Sequence, residues 1–487
     1  MAASLTALPG RSVLAFLLYV APVSFLATVW NGSLLWAPAV IGVAGLAWLS
    51  PGAVLAGLVV LTPLCRFPGG FGLTPESLAL SKAALVLFLA AVLWLKDLHR
   101  ATGSVFLPWM KLLFGVWLSL TFLSVLLAQD MALSLHYMIG PLSGLGFFLI
   151  FTRLPKDKHR PWLILLVSVA GAVAALAIVQ YIFVTHNVGH SLWRFIIAPG
   201  DRTYYTEGPN LMNATYQYRA SGTFSHSNHL GIYLALLFPF SLVLALEQHA
   251  SSLRTWSLRG ISILLLVGLV TTNSRTGLLV CAVGGAWVGV HRGYRWLWGA
   301  GLAGVLGLML FSILHPTPLQ DSLNKILRVE TRLSGREQVW RNGLNLISRS
   351  PWLGVGPGNL SSSYVTEFGY FVYNTLEEQN ILMETLQKKG EGTTHRFHLH
   401  NLYLQLAAEL GVLGPILFLV AALASLFYLE RGILLNNAFH KERALHIATA
   451  ASMIGFLVFG LFESQVPFSM LGLNLAVAPL WAIGIKS

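Results

Sequence analysis

Charge is scarce in this sequence. Only 10% of its 487 residues are Asp, Glu, Lys or Arg, while 55% are hydrophobic. A soluble globular domain carries about 25% charged residues, so this chain cannot clothe a water-facing surface of its own size. Cysteine is scarcer still. Cys65 and Cys281 are the only two, which excludes a disulfide framework and any cysteine-based zinc spacing, and both fall in or beside apolar runs where a small buried side chain is the plain reading. Internal repeats and low-complexity tracts are also absent, which counts against the repeat symmetry common in transporters. The net charge of +12 points to anionic partners such as membrane phospholipid, pyrophosphate or a phosphorylated glycolipid. Nucleic acid does not fit, because the basic residues are scattered among apolar runs rather than gathered on one soluble face.

What the chain does have is hydrophobic length. Apolar runs lie near residues 13–30, 34–50, 53–65, 80–95, 108–128, 133–152, 162–184, 229–246, 260–272, 276–290, 296–314, 412–428, 445–462 and 467–485. Most approach the roughly 20 residues that a helix needs to cross a bilayer. Lipid offers backbone polar groups no outside partner, so the economical reading is all-α: a polytopic transmembrane helical bundle. Only Pro51-Gly52 separates the third run from the second, so that pair reads as a re-entrant hairpin and the bundle has about 12–14 spans by the hydropathy criterion. Arg11 precedes the first run and further runs follow at once, as for a first membrane helix rather than a cleaved signal.

Orientation follows from Lys and Arg in the short loops. Arg153, Lys156, Lys158 and Arg160 form one basic set, followed by Arg254 with Arg259, Arg292 with Arg295, and Arg431 with Lys441 and Arg443. These alternate with the other loops as the span order requires, which puts them and both termini in the cytoplasm. Two long loops, about 185–228 and 315–401, then face outward. The chain divides accordingly into N-terminal spans over 1–314, a large partly helical outer loop over 315–401 and C-terminal spans over 402–487. Within that loop Ser334-Gly335-Arg336-Glu337 has the form of a helix-capping box. Val339, Trp340, Gly343, Leu344 and Ile347 then recur at helical spacing until Pro351, so an amphipathic helix is expected on the membrane surface or across the bundle mouth. Gly354-Val355-Gly356-Pro357-Gly358 follows. No βαβ unit surrounds it, so it reads as a structural turn and not a nucleotide loop.

The candidate chemistry gathers on the outer face. His400-Asn401 stands where the large loop re-enters the membrane, with Gly411 and Gly414 following. Imidazole is the side chain suited to exchanging protons near neutrality, so His400 is the candidate base for a sugar hydroxyl; capping a helix start is the bland alternative. Arg219 precedes the eighth run, and Arg275 lies in a very short turn between the ninth and tenth. Either arginine can simply anchor a helix, but two guanidiniums from different helices can also clamp a pyrophosphate. Arg336 either shapes the same cavity or packs. His395, His398 and His400 lie close together, with His226 and His229 in the other loop. A zinc site usually adds cysteine or carboxylate ligands in a tight arrangement; none is evident here, so no metal is expected. The sequon at Asn213 is read as accidental.

Taken together, these stretches resemble the O-antigen ligase and polymerase superfamily of bacterial membrane proteins. The ligase signature, His-Asn followed by nine residues and Gly-x-x-Gly, is matched from His400 to Gly414. SGR…W…P-x-x-G-x-G is matched from Ser334 to Gly356, and S-R-x-G from Ser274 to Gly277. The resemblance spans about residues 205–465. It implies a ligase in the bacterial inner membrane that moves O-antigen polysaccharide from undecaprenyl pyrophosphate to lipid A-core at the periplasmic face. It further implies His400 as base, Arg219 and Arg275 on the donor pyrophosphate, inversion at the anomeric carbon, and neither metal nor ATP; Asn401 and Arg336 stand beside these as further substrate-binding candidates. An O-antigen polymerase and a protein O-oligosaccharyltransferase use the same kind of donor and remain as alternatives. A transporter fits poorly, since its charged groups would sit near mid-membrane.

Overall fold

The computed structural model describes residues 50–63, 108–185, 202–203, 217–224, 226–246, 253–293, 329–360, 398–435, 440–463 and 478–482, with scattered positions between 82 and 93. The chain is all-α and polytopic. In chain order the helices are α1 (Pro51–Leu61), α2 (Pro108–Leu126), α3 (Met131–Thr152), α4 (Lys156–Thr185), α5 (Ser227–Leu246), α6 (Leu253–Thr271), α7 (Arg275–Arg292), α8 (Val329–Arg349), α9 (Leu402–Leu410), α10 (Leu413–Leu435) and α11 (His440–Phe462). One small ladder interrupts the helices, pairing Arg202 with Tyr218 and Thr203 with Gln217 in antiparallel register. Among the described residues, 5 helices are long and apolar enough to cross a membrane, within α3, α4, α5, α10 and α11, and α1, α2 and α6 contain shorter apolar stretches. The runs expected near 13–30, 34–50 and 296–314, and most of 467–485, lie outside the described residues.

Helix α5 is the axis of the assembly. It is apolar on every face, and it packs against α4, α6, α7 and α11, so 83% of its apolar window is buried. A helix with no polar stripe has no side to give to water and takes the centre. By contrast only 17% of the corresponding window of α10 is buried, leaving Leu423 and Phe427 exposed. Similar apolar surface lies open on α2 and α6, at Phe122 and Ile263. In water so much exposed apolar surface would drive association; facing hydrocarbon, it is the expected surface of a multi-pass membrane protein.

Sequence-encoded caps set the helix boundaries. Asp130 starts α3 by accepting from the Leu133 amide at 2.8 Å, and Ser274 starts α7 by accepting from the Gly277 amide at 3.2 Å. Each satisfies an amide that the first turn leaves without a partner. The expected cap at Ser334 does not start α8. That helix begins earlier, at Val329, and runs through Ser334 and Glu337 to Arg349. Its end just before Pro351 is as expected, since a residue preceding proline disfavours helical geometry. The buried face of α8 carries Asn342, Gly343 and Leu346, whereas Leu344 faces outward. Helix α8 lies against α9.

The glycine-rich turn after α8 is a backbone seam. The Val355 amide donates to Ala408 O at 2.9 Å and the Gly356 amide to Glu409 O at 3.0 Å. Ser124 of α2 donates to Leu353 O at 2.7 Å and to Glu409 O at 2.8 Å. Asn359 accepts from the Asp130 amide at 2.9 Å and donates to the Ser134 hydroxyl at 2.7 Å. Thus residues 353–359 tie α2, α3 and α9 together. Gly354 has φ +65, and a Cβ there would run into the Glu409 backbone. Both the left-handed conformation and the space require glycine.

Glu409, which this seam covers, lies outside the spanning helices. Burial pushes its carboxyl up to about 7, against the opposing hydrogen bonds from Gln405 and the Gly358 amide. The folded state therefore holds its proton more tightly than the unfolded chain does. Stability from this group is full below the unfolded value of 4.5 and is lost as pH rises through about 7.

Two outcomes follow for thermal unfolding in detergent. Gly354→Ala should cost roughly 2–4 kcal/mol from strain and overpacking, while Gly260→Ala, with open space around its Cβ position, should leave the melting temperature nearly unchanged. Glu409→Gln should flatten the dependence of the melting temperature on pH between about pH 5 and pH 8, with a gain at the alkaline end on the order of 3 kcal/mol.

Candidate active site

Five helix ends meet at one end of the bundle: the starts of α5, α7 and α9 and the finishes of α6 and α11. Arg219 and its neighbours lead into α5. The segment is pinned from both sides, because Gln180 of α4 makes a reciprocal amide pair with Gly222, each bond 2.9 Å, and the Ala220 amide donates to Thr271 O at 3.0 Å. Arg219 is 9% exposed. Its Nε donates to Thr272 O at 3.0 Å, and its terminal nitrogen donates to Asn273 O at 3.3 Å and to Asn228 Oδ1 at 2.6 Å. The guanidinium thus takes carbonyls at the finish of α6, where the helix dipole is negative and the last carbonyls lack partners.

Helix α7 starts directly after that turn. The S-R-x-G stretch divides its labour: Ser274 caps, Gly277 lets α7 approach Gly231 of α5 closely, and Arg275 is exposed as the first helical residue. Arg275 stands beside Asn273, whose backbone holds Arg219, so the two expected arginines flank one turn and only Arg219 is buried in it.

The re-entry of the large loop supplies the imidazoles. Trp340 of α8 donates to Leu399 O at 2.9 Å, and the Leu399 amide donates to Gln405 Oε1 at 3.0 Å. Asn401 caps α9, accepting from the Tyr403 and Leu404 amides at 3.0 Å each and donating to Leu461 O at 3.1 Å. Helix capping at this motif therefore falls to the asparagine, which leaves the histidine for other use. His400 itself has φ +49, a left-handed conformation that few residues with a side chain adopt, though histidine is among those enriched there. Held this way, its ring lies against that of His398, centroids 3.9 Å apart.

Glu463 joins the two halves. It directly follows α11, is buried, and one of its carboxylate oxygens lies 2.7 Å from His400 Nδ1 and 3.3 Å from His398 Nε2. Asn228 Nδ2 reaches its other oxygen at 3.5 Å. A continuous polar path therefore runs from the α6–α7 turn through Arg219, Asn228 and Glu463 to His400. Burial by itself pushes the Glu463 carboxyl upward, but hydrogen bonds from His398 and His400 and their charge outweigh it and hold the group below the ordinary carboxylate range. His226 and His229 sit on the same edge, their rings 5.5 Å apart.

His398, His400 and Glu463 place one donor atom each within 4.8 Å of one another. Two imidazoles and a carboxylate are a donor set that suits a divalent cation of the zinc class. The sequence expectation of no metal rested on the lack of a nearby carboxylate; Glu463 lies 63 residues along the chain, and folding brings it in. Glu463 is the functional candidate that sequence reasoning missed. The available signal was an ionisable residue at the edge of an apolar run, where charge is costly unless it is used. Of the other expected residues, Arg336 has its backbone in α8 and its side chain outside the described residues, as is all of His395.

The site can offer a base, since an imidazole backed by an ionised carboxylate is suited to taking a proton. It can also offer positive charge, from Arg275 and the start of α7.

Comparison with known proteins bears on the same segments. No curated protein matches the chain. A family model described as O-antigen ligase matches residues 260–419, which covers Arg275, Arg336, His400 and Asn401 and leaves Arg219 and Glu463 outside. That family comprises ligases and polymerases of O-antigen assembly, which act as membrane glycosyltransferases on a lipid-linked polysaccharide. The similarity to that family runs from within α6 to the first turns of α10.

Proposed function

We propose that the protein is the O-antigen ligase itself, transferring finished polysaccharide from undecaprenyl pyrophosphate to a hydroxyl of lipid A-core at the periplasmic face of the bacterial inner membrane, with both termini cytoplasmic. The observation that carries this reading is the polar path from the α6–α7 turn to His400, at one end of a bundle whose flanks are apolar. A polyprenyl tail must stay in lipid while its glycan stays in water, so chemistry on such a donor belongs at a bundle mouth.

In this mechanism His400 takes the proton from the acceptor hydroxyl. The freed oxygen pair bonds to the anomeric carbon, and the bond from that carbon to the pyrophosphate oxygen breaks, its electrons leaving with the pyrophosphate. Negative charge grows on the leaving group, and a fixed cation stabilises it. Arg275 fills that role, being exposed at the positive end of α7, while Arg219 builds the turn that presents it. Asn401 acts through the helix it caps, and Arg336, carried on α8, is a further substrate contact. The donor bond is already activated, so neither nucleotide nor metal is required.

The His398–His400–Glu463 donor set favours one competing reading, in which a bound cation performs the activation. Turnover by purified protein that survives exhaustive chelation supports the base; loss on chelation with recovery on added zinc supports the metal. His400→Ala should remain folded and lose about 10²–10⁴-fold in rate, and normal capping of lipopolysaccharide by this variant would end the reading. Arg275→Ala should impair donor use more than Arg275→Lys, because lysine keeps the charge and loses the fork. Offering lipid A-core, a second carrier-linked glycan or a pilin-like protein as acceptor separates ligase from polymerase and from protein glycosylation.

A further inference from the structure

The site places a carboxylate directly behind the proposed base. Glu463 Oε1 lies 2.7 Å from His400 Nδ1, the short distance typical of a charge-assisted hydrogen bond. Glu463 is 6% exposed, whereas the His400 side chain is 34% exposed. The carboxylate is therefore inside and the imidazole at the rim. An ionised carboxylate has no hydrogen to give and can only accept. The Nδ1 position of His400 must then carry the proton, and in the neutral ring Nε2 is the nitrogen with the lone pair.

That tautomer is the one a base at the rim needs. A histidine without such a partner distributes its proton between both nitrogens and rotates, so part of the population presents an N–H to the acceptor hydroxyl. Here the backbone of His400 is also fixed in a left-handed conformation, and Trp340 holds the preceding carbonyl. The remaining freedom is the ring torsion, which the bond to Glu463 removes. Glu463 is itself held, since Asn228 reaches its second oxygen and Arg219 holds Asn228 in turn. His398 approaches the same oxygen as His400 at the longer distance of 3.3 Å. It helps to keep the carboxylate charged without displacing the shorter bond.

We propose that Glu463 is a positioning residue for the transfer reaction: it fixes His400 in the tautomer with the proton on Nδ1 and aims the Nε2 lone pair at the acceptor hydroxyl. This rests on the assignment of His400 as base. It adds a residue outside the matched family segment, contributed by the end of α11, to the chemistry of that segment. When the hydroxyl proton arrives at Nε2, the ring becomes cationic and the carboxylate behind it stabilises that charge, as in triads where a buried acid backs a histidine. No proton moves to Glu463.

The test is steady-state kinetics of the full-length protein in detergent, with lipid A-core and carrier-linked donor, on Glu463→Gln, Glu463→Asp and His400→Ala. The amide of Glu463→Gln can donate to Nδ1 and so favour the wrong tautomer. Its kcat should fall about 10²–10⁴-fold while KM for both substrates changes little. Glu463→Asp keeps the charge one methylene further away and should recover at least about tenfold of that loss, as expected where the charge-assisted bond matters. Wild-type kcat in Glu463→Gln, with His400→Ala dead, overturns the positioning role and leaves the base intact. Full activity in His400→Ala overturns the base reading instead. Should the amide variant fail to fold, Glu463→Asp decides alone: a fall in kcat at constant KM supports the inference, and an unchanged kcat overturns it.

Discussion

A buried carboxylate must have partners, because an isolated charge out of water costs far more than any single contact returns. Glu463 meets this demand with two imidazoles and an amide drawn from the starts of α5 and α9. The consequence is architectural as well as chemical. Satisfying that carboxylate fixes the end of α11 against the segment that leads into α9, and through Asn228 and Arg219 it fixes both to the turn between α6 and α7. Breaking one member leaves the rest with uncompensated polar groups, which is why such networks hold together as units.

Around this network the protein uses two kinds of packing. The central helix α5 is apolar throughout, and glycines let neighbours approach it closely, as at Gly231 and Gly277. In lipid, close contact of small residues replaces the hydrophobic drive available in water. At the loop end the packing is polar and backbone-mediated. The seam at residues 353–359 satisfies its amides on α9 and its carbonyls on side chains of α2 and α3.

The division of labour between the arginines follows from the same geometry. Arg219 donates to carbonyls at the end of α6 and to Asn228, whereas Arg275 begins α7 and is exposed. One guanidinium builds the turn and the other stands on it, where a phosphate can reach it alongside the positive end of a helix.

Much of this was legible in the sequence because it depends on local pattern. Long apolar runs dictate membrane helices wherever lipid is the solvent. The glycine-rich stretch before α9 announces a turn, and the spacing from His400 to Gly414 carries the resemblance to the O-antigen ligases. Other features were decided only by the fold. Ser334 has the form of a cap yet lies inside α8, which begins at Val329. Asn401 fell to helix capping and Arg219 to carbonyl binding, roles that the choice of residue alone leaves open. Above all, the pairing of His400 with Glu463 spans 63 residues. Periodicity reports which face of a helix is apolar, but it carries no information about which distant polar group will share a buried site. That choice belongs to packing, which brings the ends of separate helices within hydrogen-bonding distance.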